Sequence, residues 1–127
     1  MTIRLLTAAD AAIYKVVRLR ALKEHPEAFG QSPELVQTQE AEQIVAGLKT
    51  NPTFGAFTDK DKLIGITSIA RNPRPKLHHR AWIGGMYVIA EQQGQGWGRR
   101  LLEVALAHVR EDWDGIEDVV LAVTVGD

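Results

Sequence analysis

The sequence predicts an α/β (α+β) fold, a mixed central sheet with flanking helices in the order β-α-α-β-β-β-α-β. Three observations carry that expectation. Apolar residues recur with the i, i+3, i+4 spacing of amphipathic helices in three stretches, and short apolar runs of strand length lie around them. A glycine-rich turn joins one of those runs to the clearest helical stretch. The last run, VVLAVTV from Val119 to Val125, has no polar alternation, the pattern of a strand buried on both faces. At 127 residues the chain makes one domain, taken as 1–127.

The first element is a short strand from Ile3 to Leu6. It ends at Thr7, an N-cap with Asp10 three residues on in the manner of a capping box. Ile13, Val16, Val17, Arg20 and Ala21 then mark a helix that runs to about Glu24 and stops ahead of Pro26. Ser32-Pro33 reads as the start of a second helix, whose stripe Ala41, Ile44, Val45 and Leu48 closes at Asn51-Pro52. Phe54 to Thr58 and Leu63 to Ala70 form a hairpin across Asp59-Lys60-Asp61. The prolines and basic residues between Arg71 and Arg80, with His78-His79 among them, mark a loop. Ala81 to Val88 is the next strand. After the glycine turn comes a third helix in which Leu102, Ala105, Leu106 and Val109 share a face.

Composition removes several functions. A formal net charge of −1 lacks the basic face that nucleic-acid binding needs. Without cysteine there is no thiolate metal site and no cysteine nucleophile. Neither Ser32 nor Ser68 lies in G-x-S-x-G, and no His, Asp or Glu cluster has metal-ligand spacing, so no metal is expected. The apolar runs are too short for a membrane span, and the N-terminus lacks the order of a signal peptide. A soluble, cytoplasmic domain is expected, with neither nucleic acid nor membrane as partner.

The informative segment is MYVIAEQQGQGWGRRLL, Met86 to Leu102. Glycines between a strand and a helix let several backbone N–H groups converge without a Cβ in the way. The helix adds its unpaired N–H groups and positive dipole end, so the turn suits a phosphate or pyrophosphate. Gly94, Gly96 and Gly98 are evenly spaced, which excludes the G-x-G-x-x-G dinucleotide fingerprint, and G-K-[ST] occurs nowhere. Trp97 either joins the core or covers a ligand.

Gln93-x-x-Gly96-x-Gly98 resembles the Q/R-x-x-G-x-G/A signature of the GNAT superfamily of acyl-CoA-dependent N-acyltransferases. Met86-Tyr87-Val88 is similar to that family's fourth strand, Arg99-Arg100-Leu101-Leu102 to its following helix, and the element order to its first five strands. The resemblance implies an N-acetyltransferase that moves acetyl from acetyl-CoA to a primary amine, on a small molecule or peptide, by direct attack. It implies coenzyme A held at Tyr87, Val88, Gln93, Gly94, Gln95, Gly96, Trp97, Gly98 and Arg99, with the pantetheine arm between the fourth and fifth strands. A full family fold continues with another helix and two strands, whereas this sequence stops at Asp127. The alternative is therefore a truncated, non-catalytic acyl-CoA-binding or interaction module. The fourth strand, AWIGGMYV, carries no carboxylate, which leaves His79 as the nearest candidate base, unless it is an exposed loop residue. Glu91 is read as solvent-facing. An apolar final strand with open edge groups is a template for pairing, so a homodimer through it is expected.

Overall fold

A computed structural model describes residues 2–24, 40–71, 74–77 and 79–122. Five strands, β1 (Thr2–Leu5), β2 (Thr53–Phe57), β3 (Leu63–Arg71), β4 (Arg80–Val88) and β5 (Asp118–Ala122), form one sheet in that order. The first four are antiparallel, and β5 runs parallel to β4. Among the described residues the α-helices are α1 (Ala11–Glu24), α2 (Ala41–Thr50) and α3 (Trp97–Asp112). This is the mixed α/β architecture expected. The proposed helix start at Ser32-Pro33, together with Pro26, His78 and Val123 to Val125, lies outside the described residues.

Strand alternation assigns the faces. Gly65 lies under Leu101 of α3, and Phe54 meets His108 of α3 edge to face. Thr53 and Ser68, paired across β2 and β3, point the other way, toward α1 and α2. α3 therefore covers one face, and α1 with α2 the other. Ile64, Ile66, Ile69, Ile83, Leu101 and Val109 are fully buried between these layers.

The N-terminal cap forms as its spacing indicates. Asp10 accepts from the Thr7 N–H at 2.7 Å and takes Arg4 in a two-point ion pair at 2.8 and 3.0 Å. Arg4, and then the Thr7 bonds, hold this buried carboxyl down to about 2.

Three details differ from expectation. In α1 the core takes Ala11, Val17, Ala21 and Leu22, while Ile13 and Val16 are exposed, because apolar residues encircle that helix and its period selects no single face. In α3 the buried stripe is Trp97, Leu101, Ala105 and Val109; Leu102 and Leu106 flank it half-buried. In β5, Val120 and Leu121 are 46% and 48% exposed, so that strand is not buried on both faces among the described residues. No helix among them is long and apolar enough to cross a membrane.

Candidate functional site

An irregularity in β4 shapes the site. Ser68 pairs with Gly84 and Ile66 with Tyr87, which leaves both Gly85 and Met86 opposite Thr67. This is a β-bulge, and Gly85 takes the positive φ of +63° that it requires. Thr67 Oγ1 donates to the Gly84 carbonyl at 3.1 Å and holds the bulge. Over the described residues β5 pairs with β4 from Arg80 to Gly84, and β4 runs on to Val88. The Ile89 N–H is spent on the Ile64 carbonyl at 2.9 Å, on the β3 side. Alternation along an extended chain turns the Val88 amide to the other edge of β4.

A single 3-10 turn, Ala90–Gln92, leads into the glycine segment. Gly94 and Gly96 have φ of +81° and +86°, a conformation that favours glycine. Gly98 has no such requirement, yet a Cβ added at 94, 96 or 98 would meet no heavy atom within 4 Å. The space in front of α3 is open. Gly96 is the N-cap and offers no side chain to the first turn, so the N–H groups of Trp97, Gly98 and Arg99 have no intrahelical partner. A cradle of this kind, at the positive end of a sixteen-residue helix, fits a pyrophosphate group.

The other predicted residues divide by role. The Gln93 side-chain amide donates to the Val88 carbonyl at 2.8 Å and ties the turn to the strand end, so its side chain braces the cradle. Gln95 is exposed. Trp97 is 3% exposed and belongs to the core, with the Arg100 guanidinium 5.3 Å from its ring centre. Arg99 is exposed and paired with Glu103 at 3.1 Å, able to swing toward an anion at modest cost. Tyr87 is buried, with its side chain on the α1 face of β4. Burial, and then the nearby Glu24, push its phenol well above the usual tyrosine range.

His79 is not brought to this place. It sits at the start of β4, with Asp118 3.9 Å from its imidazole, nine residues before Val88 and about 30 Å from it at strand rise. Glu91 is not simply solvated either. Arg20 of α1 binds it through both terminal nitrogens and binds Glu24 at 2.8 Å. The Arg20 hydrogen bond lowers the Glu91 pKa, which keeps this carboxylate ionised. Among the described residues no three His, Asp or Glu side chains gather to hold a metal ion.

The family model for the acetyltransferase (GNAT) family matches residues 16–127. The chain belongs to the GNAT acetyltransferase family. Solved structures share the fold. A ribosomal-protein-alanine N-acetyltransferase from Brucella melitensis matches 95% of this GNAT chain and 79% of its own, at TM-score 0.68 and 20% identity. A GNAT-family acetyltransferase from Streptococcus pneumoniae reaches TM-score 0.71 at 19% identity over 87% of this chain and 67% of its own. A GCN5-related N-acetyltransferase from Ralstonia eutropha gives 0.68 at 18%, over 94% and 81%. No curated protein matches in sequence.

Sequence reasoning missed one feature of this GNAT domain. A cavity of about 290 Å³ lies between α1, α2 and the bulge. The signal was present: adjacent glycines inside a strand, Gly84-Gly85, mark a bulge and a close approach.

Proposed function

We propose that this GNAT domain transfers acetyl from acetyl-CoA to a primary amine. The observation that carries the reading is the uncapped N-terminus of α3, with open space in front of its glycines, directly after β4. The backbone of Gln93 to Arg99 would hold the pyrophosphate, and the edge of β4 at Val88 that faces away from β3 would receive the pantetheine arm. When bound, the donor supplies an acetyl group activated as a thioester; a neutral amine attacks its carbonyl carbon, the C–S bond breaks, and coenzyme A leaves as a thiolate that takes up a proton from water. The Val88 N–H, on the edge away from β3, would stabilise negative charge on a carbonyl oxygen there. The amine's proton goes to solvent water, since His79 is remote and Glu91 is engaged by Arg20.

Isothermal titration with acetyl-CoA tests the reading, and absence of binding at millimolar concentration by folded protein overturns it. A turnover assay over a panel of amines then separates an enzyme from a module that only binds. The exposed Val120 and Leu121, with Trp82 37% exposed beside Val120, support a homodimer covering β5. Light scattering showing a monomer at high micromolar concentration would refute that assembly.

A further inference from the structure

The cavity beside the bulge has a lining that selects its occupant. Tyr14 and Arg18, one helical turn apart on α1, form one wall; Gln43 of α2 forms the opposite wall, and Ser68 and Gly85 lie at the sheet. Burial raises the Tyr14 pKa, so its phenol remains a neutral O–H donor. Arg18 brings a permanent positive charge: a Cβ built on Gly85 would stand 3.5 Å from its Nη1. The same point is 3.9 Å from Ser68 Oγ. A cation and a hydroxyl therefore converge on the bulge.

The direction of the Ser68 hydroxyl follows from proton counting. Thr53 Oγ1 donates its one proton to the Asn51 carbonyl at 3.0 Å. The 2.8 Å bond between Thr53 Oγ1 and Ser68 Oγ must then be donated by Ser68. With its proton spent, Ser68 offers only lone pairs to the cavity and accepts from an N–H. One end of the lining thus donates and is cationic, and the other accepts. The volume suits a small molecule and is too small for a folded partner.

We infer that this cavity is the acceptor site of the proposed transferase and takes a small amine bearing a carboxylate close to its nitrogen, such as a free α-amino acid. Arg18 and Tyr14 receive the carboxylate, and Ser68 receives the amino group. The assignment rests on the transferase reading, because the bulge lies on β4, the strand that leads into the glycine turn.

Calorimetric titration of α-amino acids against their α-carboxamides, with and without saturating coenzyme A, tests the site apart from turnover. The free acids should bind at least ten-fold more tightly than the amides in wild type. Arg18→Gln should abolish that preference with the coenzyme A titration unchanged, Arg18→Lys should restore part of it, and Ser68→Ala should weaken acids and amides alike. Amides binding as well as acids, or peptides with free N-termini binding where amino acids do not, would overturn the site. So would an unchanged preference in Arg18→Gln; if that variant does not fold, the wild-type comparison decides alone. Amino-acid binding without any coenzyme A binding would retain the carboxylate site and refute the donor reading.

Discussion

Replacing Gly98 with leucine should move stability and cofactor affinity in opposite directions. Gly98 is the second residue of α3, has no positive φ, and has no heavy atom within 4 Å of the position its Cβ would take. Leucine in a helix interior is favoured over glycine by roughly 0.5–1 kcal/mol, and less in the first turn. The ligand-free protein should therefore hold its Tm or gain about 1–3 °C. Helical side chains lean toward the N-terminus, so the introduced isobutyl group would project into the space before the turn. Loss of one or two charge-assisted N–H bonds to a pyrophosphate, each about 1.5–3 kcal/mol, should weaken coenzyme A at least ten-fold. Thermal unfolding and calorimetric titration on one preparation read both effects. A variant that keeps its Tm and binds coenzyme A as wild type does would show that the pyrophosphate does not sit at this turn. The same change at Gly94 or Gly96 is less informative, because their φ strains any side-chain-bearing residue whether or not ligand is present.

Asp10→Asn should destabilise the fold by about 2 kcal/mol at pH 7, since a carboxyl held near 2 contributes stability above its unfolded value. That contribution falls away as pH drops from about 4 through 2, so denaturation midpoints of the variant and wild type should converge there; a constant gap refutes the assignment. Leu101→Ala, at a side chain with no exposed surface, should cost about 2–5 kcal/mol in urea unfolding, and a loss under about 1 would mean α3 is not packed as described. Gln93→Leu removes the brace to Val88 and should weaken coenzyme A several-fold while shifting the Tm by only a few degrees; unchanged affinity would mean the turn holds its shape unaided.

Local chemistry explains which parts were legible. The capping box at Thr7 and Asp10, the charged hairpin turn and the strand-to-helix glycines are decided by residues close in sequence, and each forms as its residue types indicate. The face of α1 was not legible, because apolar residues surround that helix and only its tertiary neighbours choose Val17 over Val16. The side-chain bond from Gln93 to a carbonyl five residues back was not legible either, because no spacing pattern encodes it. The cavity escaped for a related reason: Tyr14, Arg18, Gln43 and Ser68 are drawn from three elements and meet only once α1 and α2 lie on the sheet.

The bulge at Gly85 also reverses the parity of β4. Before it, odd-numbered Ile83 shares a face with Ile69, on the α3 side; after it, odd-numbered Tyr87 shares a face with Ile66, on the α1 side, and even-numbered Val88 stands against Gly65 under Leu101. Removing Gly85 would leave Met86 alone opposite Thr67, with Tyr87 still against Ile66 and Val88 still against Gly65, so both layers would keep their side chains. What would be lost is the stretch of backbone that stands beside Arg18 and Ser68. The extra residue in this strand thus shapes the cavity wall and leaves the core layers as they are.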